Sequence, residues 1–315
     1  MTGTRVAIVG AGLIGRAWAI SFARGGCAVA LFDAEPKAVA AALAAIEGLL
    51  GDLAAHGLLG GQEPAALLGR ISGAPSLAAA LDGAIHVQEN TPETVEAKRA
   101  VFAALDAAAP PAAVLASSSS GILPSLFTAD LAGRARCLVA HPINPPYLVP
   151  AVELVPAPWT DPACLERTRV LLAAIGQAPI MMARELDGFI MNRLQGALLH
   201  EAFRLVAEGY ASPADIDIGI RDGLGRRWAF MGPFETIDLN APGGIADYVA
   251  RYEPLYQKIA GPARPVPWAG PLVDRIAAGR RAVLPAADLA ERQRWRDRRL
   301  MALAAQFAAA GKKTG

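Results

Sequence analysis

The 315-residue sequence has few cysteines and no long uninterrupted apolar run. Its three cysteines (Cys27, Cys137 and Cys164) are widely spaced, which excludes a disulfide framework or a cysteine-based zinc site and favours a reducing compartment. No second histidine lies at ligand spacing from His141, so we expect no metal site. Because no stretch reaches the roughly 18 apolar residues of a membrane span, we expect none, and we expect a cytoplasmic protein.

The sequence also lacks an excess of charge of either sign. The formal net charge is +1, which argues against a dedicated nucleic-acid partner. The basic stretch 292–299 is interrupted by Trp295 and Asp297, which favours a helix at a subunit interface. The apolar fraction is 53%, much of it alanine, and the length is comfortable for two domains.

The hydrophobic pattern predicts two regions of different architecture. Strands are predicted at 5–9, 28–32, 84–88, 112–116, 136–140, 151–155 and 178–182, with a helix at 13–24 and a helical hairpin at 37–56 and 62–69. Beyond Asp187 only helices are predicted, at 188–208, 212–222, 232–257, 270–280 and 286–309. The predicted fold class is therefore α/β: a Rossmann-type, mostly parallel sheet domain at 1–186, followed by an all-α domain at 187–315.

A glycine-rich motif lies between the first predicted strand and helix. In G-x-G-x-x-G, Gly10 permits a tight turn, Gly12 lets the backbone approach a pyrophosphate, and Gly15 allows close packing of helix and strand. Asp33 ends the second strand, at about the 20-residue distance that the motif requires, where it can accept the ribose hydroxyls and repel a 2′-phosphate. These features predict an NAD site formed by Gly10, Gly12, Leu13, Ile14, Gly15 and Asp33. The alternative is a glycine-rich turn with a helix-capping aspartate.

A second motif pairs a histidine with a carboxylate. His141 follows the strand at 136–140 and opens a loop with four prolines within 141–150, which should be stiff. Glu153 lies on the next strand among apolar neighbours and needs a partner. Reversal through the loop would bring it beside His141, and such a pair suits hydroxyl oxidation, with the imidazole as proton acceptor. A hydrogen-bonded structural histidine is the alternative.

Two other polar groups follow predicted elements. Ser117–Ser120 lies at the end of an apolar strand, where ligands bind in open α/β sheets, although a serine turn or helix cap has the same pattern. Asn192 lies in the first turns of the helix after Asp187, and by itself it would pass as a solvated helix residue.

Together these segments resemble the 3-hydroxyacyl-CoA dehydrogenase family. The resemblance covers nearly the whole chain and is carried by GAGLIGRAWA, QENTPET…K, LASSSSG, AHPINPPYLVPAVELVP, DGFIMNRLQ, GLGRRWAFMGPFET and RQRWRDRRLM. It implies an NAD-dependent dehydrogenase acting on CH–OH, with His141 as general base and Glu153 as its partner.

The resemblance also assigns roles to other positions. It implies that Ser120 and Asn192 hold the reacting oxygen of the substrate. Glu93 and Lys98 would lie near the nicotinamide ribose, although they could instead form a surface pair at helical spacing. The C-terminal domain is implied to form a homodimer.

Charge gives an argument about the substrate. CoA-using members of the family resemble one another in holding the nucleotide phosphates with basic groups on the hairpin after the second strand. Here residues 36–73 offer only Lys37 and Arg70, a poor partner for phosphates. By the same resemblance, Arg227 matches a substrate-facing position and could bind a carboxylate through its guanidinium fork, whereas Arg226 is better explained by surface charge or an interdomain ion pair. We therefore expect a small anionic 3-hydroxy acid, and the resemblance implies L-gulonate as the first candidate.

Three alternatives stay open. The substrate could be an L-3-hydroxyacyl-CoA such as 3-hydroxybutyryl-CoA. It could be L-carnitine, whose quaternary ammonium would need aromatic or acidic neighbours, for which Trp228 and Tyr147 are candidates. From another class, the chain could be a non-catalytic structural protein, although such a protein has no need to keep Ser120, His141, Glu153 and Asn192 together.

Overall fold

A computed structural model describes residues 3–229, 231–259, 271, 278, 282 and 285–311. The chain divides into two compact units, one formed by Met1–Asn192 with Arg292–Gly315 and the other by Arg193–Glu291. Residues from Arg292 onward thus group with the sheet-containing unit, whereas the sequence placed them in the helical domain. The boundary expected after residue 186 stays a prediction.

The first unit is built on an eight-stranded sheet of order β3-β2-β1-β4-β5-β6-β7-β8. The strands are β1 (Arg5–Val9), β2 (Ala28–Phe32), β3 (Ile71–Gly73), β4 (His86–Glu89), β5 (Val114–Ser117), β6 (Cys137–Pro142), β7 (Ala151–Pro156) and β8 (Ala178–Met181). All neighbours are parallel except β6 and β7, which are antiparallel. The mostly parallel sheet of the predicted fold class is confirmed.

Helices cover the sheet and form most of the second unit. They are α1 (Leu13–Arg24), α2 (Pro36–Ala55), α3 (Pro64–Leu68), α4 (Leu77–Leu81), α5 (Val95–Ala108), α6 (Ser125–Thr128), α7 (Pro162–Ala174), α8 (Met191–Ala207), α9 (Pro213–Ile218), α10 (Gly225–Trp228), α11 (Pro233–Asp238), α12 (Gly244–Ile259) and α13 (Leu289–Gly311). A π-helical segment, Gly219–Leu224, joins α9 to α10. The helix expected at 270–280 falls almost entirely outside the described residues.

Two sequence predictions differ from the structure in detail. The strand β3 was not predicted, because only one of its three residues, Ile71, is a large apolar residue. The single helix predicted at 232–257 is divided into α11, which ends at Asp238, and α12, which begins at Gly244 with φ +70°. A left-handed residue cannot continue a right-handed helix, so the chain turns there.

The core lies on both faces of the sheet. Along β1, Val6 and Ile8 belong to one buried cluster and Ala7 and Val9 to the other, as expected for a parallel strand covered on both sides. Met301 of α13 is 1% exposed within the first cluster. This burial explains why the end of the chain groups with the sheet.

Helix α2 is long and apolar enough, by length and composition alone, to cross a membrane. Its buried residues Ala42, Ile46, Leu50 and Leu53 recur every three or four positions and join the first core cluster. This spacing is that of a helix packed on a sheet by one face. One such helix is weak evidence for a membrane, and the expected absence of a membrane span stays a prediction.

Candidate active site

The glycine motif forms a tight turn between β1 and α1. Gly10 has φ +95°, and a Cβ on it would lie 2.7 Å from the carbonyl oxygen of Asn90. A Cβ on Gly15 would lie 1.8 Å from the carbonyl oxygen of Gly10. A Cβ on Gly12, the N-cap of α1, would meet no atom within 4 Å, so there is open space beside the backbone at the start of this helix. The geometry therefore fits a pyrophosphate at this helix N-terminus, beside Leu13 and Ile14.

Asp33 lies beside the same turn. Its Oδ2 accepts a hydrogen bond from Ala11 N at 2.8 Å, and its Oδ1 accepts one from Glu35 N at 3.0 Å. Since each carboxylate oxygen can accept twice, capacity remains for two hydroxyl groups. Asp33 also lines a cavity of about 670 Å³ together with Gly10, Gly12 and Thr91. That volume is in the range of small-molecule sites, and most of its lining is apolar, which suits an adenosine group.

His141 and Glu153 face each other across two adjacent strands. His141 is part of β6 and does not open the loop as predicted, because the strand continues through Pro142 as the partner of β7. The antiparallel register places His141 directly opposite Glu153, and Nδ1 lies 2.7 Å from Oε2. His141 is 8% exposed and Glu153 is fully buried. The two residues are brought together as the sequence suggested, and their catalytic roles stay predictions.

The second oxygen of Glu153 is held by the start of α8. Its Oε1 accepts hydrogen bonds from Ile190 N at 2.6 Å and Met191 N at 2.8 Å. Burial alone would raise the pKa of Glu153, but the hydrogen bonds from His141, Met191 and Ile190 outweigh it and hold that pKa below its usual value. The carboxylate is thus kept ionised beside the imidazole.

Ser120 and Asn192 are in direct contact. Asn192 Nδ2 donates to the carbonyl oxygen of Ser120 at 2.6 Å, and both residues are exposed. Glu93 fixes the serine turn, since its Oε1 accepts from Ser119 Oγ at 2.6 Å and Ser120 N at 2.8 Å. Asn192 directly follows Met191, so an unbroken series of contacts joins Glu153 to the serine turn.

Lys98 and Glu93 do not form a surface pair. Lys98 is 1% exposed, and its Nζ donates to both oxygens of Glu89, at 2.8 and 3.0 Å, and to the carbonyl oxygen of Thr91 at 3.0 Å. Glu93 Oε2 lies 3.7 Å from Lys98 Nζ, within ion-pair distance, but Lys98 is buried and Glu93 precedes α5, so this is not a surface pair at helical spacing. With these bonds made inside the protein, Lys98 supports the loop beside the cofactor cleft. Its contact with the nicotinamide ribose stays a prediction.

Sequence reasoning missed Glu89, which is the centre of this buried group. Glu89 ends β4 and is fully buried. Besides Lys98, it accepts from Thr91 Oγ1 and Ser117 Oγ, both at 2.6 Å. A carboxylate at the end of a buried strand needs a cationic partner, and Lys98 nine residues later was the available signal.

The two arginines of the second unit differ in their surroundings. Arg226 Nη2 lies 3.7 Å from Asp222 Oδ1, one helical turn earlier in the same unit, and is exposed, so this is a surface pair and not an interdomain one. Arg227 is exposed on α10, and its guanidinium is close enough for its charge to act on the hydroxyl group of Tyr248 on α12. Its role as a substrate ligand stays a prediction. Among the described residues, no group of three or more His, Cys, Asp or Glu side chains is placed to hold a metal ion.

Known proteins resemble the chain over nearly its whole length. Residues 5–186 match the family model of the 3-hydroxyacyl-CoA dehydrogenase NAD binding domain, and residues 188–289 match that of its C-terminal domain. A lambda-crystallin homolog of Bos taurus is 47% identical over 95% of this chain and 94% of its own. An L-carnitine dehydrogenase of Streptomyces griseus subsp. griseus is 39% identical over 84% and 76%. The crystal structure of an NAD⁺-dependent dismutase, 5-formyl-3-hydroxy-2-methylpyridine 4-carboxylic acid 5-dehydrogenase, superposes with a TM-score of 0.82 at 26% identity, covering 96% and 97%.

Proposed function

The chain belongs to the 3-hydroxyacyl-CoA dehydrogenase family and is an NAD-dependent dehydrogenase acting on CH–OH; we propose that it oxidises the 3-hydroxyl of a small free 3-hydroxy acid, with L-gulonate as the first candidate substrate. The observation that carries the proposal is the His141–Glu153 pair, joined at 2.7 Å at the carboxyl end of β6. Because β1 and β6 belong to the same sheet and run in the same direction, the pair and the glycine turn lie at the same edge.

The pair is arranged for proton transfer from a hydroxyl group. Glu153 accepts at Nδ1 of His141, so the proton of the neutral imidazole is held there and the other ring nitrogen is free to accept one. That nitrogen takes the hydroxyl proton of the substrate, and the ionised carboxylate stabilises the imidazolium that results. Bound NAD supplies the hydride acceptor. Ser120 and Asn192, which meet beside this pair, orient the substrate oxygen.

The surroundings of the two basic side chains within residues 36–73, Lys37 and Arg70, favour a free acid over a CoA thioester as the substrate. Arg70 Nη1 donates to Gln62 Oε1 at 2.5 Å and to the carbonyl oxygen of Ala23 at 2.9 Å. Arg70 is therefore used within the protein, which leaves Lys37 as the remaining cation between residues 36 and 73. One exposed lysine is a weak site for the phosphates of CoA.

L-Carnitine is a second candidate, favoured by a group of tyrosines in the second unit. Tyr248 and Tyr252 of α12 have ring centroids 4.6 Å apart, and Tyr248 and Tyr256 share a hydroxyl–hydroxyl contact of 2.8 Å. Exposed aromatic faces of this kind attract quaternary ammonium groups. Tyr147, in contrast, is 5% exposed within the first core cluster and is not available for that role.

Parallel assays distinguish the candidate substrates. Initial rates are measured with L-gulonate and NAD, L-carnitine and NAD, and acetoacetyl-CoA and NADH on one enzyme preparation. We expect the highest kcat/KM with L-gulonate, and a higher value with acetoacetyl-CoA would reject the free-acid proposal. Arg227→Ala is expected to raise the KM for L-gulonate by about tenfold or more. Arg226→Ala is the matched control, because Arg226 is the neighbouring arginine and pairs with Asp222. Its KM for L-gulonate should be unchanged.

We also propose that the protein is a cytoplasmic homodimer that associates through its C-terminal domain. Many large apolar side chains of the second unit are exposed, among them Leu194 (64%), Phe234 (73%) and Leu239 (67%). Apolar surface of this extent is typical of an interface. Light scattering at micromolar concentration tests the proposal, and a monomeric mass would reject it.

A further inference from the structure

Phe189 has a backbone conformation that bulky residues rarely adopt. Its φ is +50°, and no other non-glycine residue in the described part of the chain has a positive φ. For an aromatic residue the left-handed region is strained, and such strain persists only where surrounding structure enforces it. The side chain is fully buried.

The strained turn aims two consecutive amides at Glu153. Gly188, at φ +74°, and Phe189 form two left-handed residues in a row, and Phe189 N donates to the carbonyl oxygen of Leu186 at 2.9 Å. The next two N–H groups, of Ile190 and Met191, then converge on Glu153 Oε1 at 2.6 and 2.8 Å. Without the turn at Phe189, the chain would enter α8 in a different direction.

The ring of Phe189 packs against the other member of the pair. Its centroid lies 5.6 Å from that of the His141 imidazole, with the planes inclined by 57°. The ring belongs to the second core cluster, as do Val139, Val155 and Met182. It therefore covers one side of the imidazole with apolar surface that cannot move without disturbing the core.

We infer that Phe189 is a positioning residue for the His141–Glu153 pair. Its backbone directs the amides that hold Glu153, and its ring fixes the imidazole that Glu153 orients. The inference rests on the proposed function, since it assigns to Phe189 the placing of the general base. It predicts that loss of the ring lowers kcat while leaving the cofactor site, at the glycine turn, unchanged.

The test compares Phe189→Leu with Phe102→Leu, a fully buried phenylalanine of the same cluster that packs on Phe127. Assays use whichever of the three substrates above the wild type turns over. Phe189→Leu is expected to lower kcat roughly tenfold to a hundredfold, the effect of a displacement of about 1 Å, with the Kd for NADH within about twofold of wild type. Phe102→Leu should lower the melting temperature to a similar extent and leave kcat within about twofold.

A second comparison separates the effect of the Phe189 backbone conformation from the effect of its ring. Glycine adopts a positive φ without cost, so Phe189→Gly should melt at a higher temperature than Phe189→Ala, the reverse of the usual order. Unchanged kcat in Phe189→Leu, or a higher melting temperature for Phe189→Ala, would overturn the inference. His141→Gln is assayed alongside. If it is inactive while Phe189→Leu is normal, only the positioning role is rejected, whereas activity in His141→Gln rejects the general base as well.

Discussion

Replacing Glu153 with glutamine changes one atom and should nearly abolish turnover. Two backbone N–H groups, of Ile190 and Met191, point at Oε1 at 2.6 and 2.8 Å, so the glutamine must keep its carbonyl oxygen there. Its NH₂ group then faces His141 Nδ1, which lies 2.7 Å from Oε2 in the wild type. Because that ring nitrogen must now accept, the imidazole proton moves to the other nitrogen, which can no longer take a proton from the substrate.

The size of the effect follows from this change of tautomer. The corresponding Asp-to-Asn substitution in serine protease triads lowers kcat by about 10⁴-fold. At 1.36 kcal/mol for each factor of ten, this is a loss of about 5.4 kcal/mol of transition-state stabilisation. Folding should be retained, since the glutamine still satisfies both amides and has the shape of the original side chain.

The assay measures NADH formation at saturating NAD and substrate, with the Kd for NADH taken from fluorescence titration of the same sample. Glu166→Gln is the matched control, because Glu166 is an exposed carboxylate paired with Arg169 at 2.6 Å. We expect Glu153→Gln to bind NADH as the wild type does and to turn over about 10⁴-fold more slowly. A folded Glu153→Gln enzyme with kcat within tenfold of wild type would show that the Glu153 carboxylate does not set the tautomer of His141.

Further predictions concern the cofactor site and stability. Gly10→Ala should lower the melting temperature, because Gly10 has φ +95° and a Cβ there would lie 2.7 Å from a backbone oxygen. Gly12→Ala should melt at the wild-type temperature but bind NADH about tenfold more weakly or worse. Wild-type affinity in Gly12→Ala would show that the pyrophosphate lies elsewhere. Asp33→Ser should reduce the preference for NAD over NADP, in kcat/KM, by about tenfold or more, and an unchanged ratio would exclude the ribose contact. Burial alone would raise the pKa of Asp106, but hydrogen bonds from Gly133 N and Arg136 hold that pKa below the usual 3.8. The contribution of Asp106 to the unfolding free energy should therefore be complete above pH 3.8 and decline as the pH falls through the lower folded-state pKa. Urea unfolding of Asp106→Asn and of the wild type, at pH 7 and in acid, measures this contribution. A difference in unfolding free energy that does not change with pH would contradict the expectation.

Local patterns were sufficient for the first βαβ unit. The strands at 5–9 and 28–32 were predicted with the bounds that β1 and β2 have, since each is a short apolar run ended by a glycine or an acid. The proximity of His141 and Glu153 could also be anticipated, because a short, stiff loop separates them. The register could not, and with it the extension of β6 through His141 and Pro142, since pairing with β7 is a tertiary effect.

The support of the site was largely invisible in the sequence. Lys98 reads as an ordinary helix residue, and only the fold shows that its ammonium group is buried against Glu89. The left-handed backbone of Phe189 is likewise not encoded by the residue type, which disfavours it. The Lys98 contact depends on how α5 packs against the end of β4, and the Phe189 conformation depends on contacts with segments distant in the chain. Local propensity gives no information on either.

In the proposed mechanism the imidazole of His141 receives the hydroxyl proton of the substrate beside a bound NAD. Rapid-mixing measurement of a single turnover by His141→Gln, with NADH affinity determined on the same preparation, tests it most directly. We expect the rate of NADH formation to fall by about 10²–10⁴-fold while NADH binds with wild-type affinity. A single-turnover rate close to that of the wild type would contradict it.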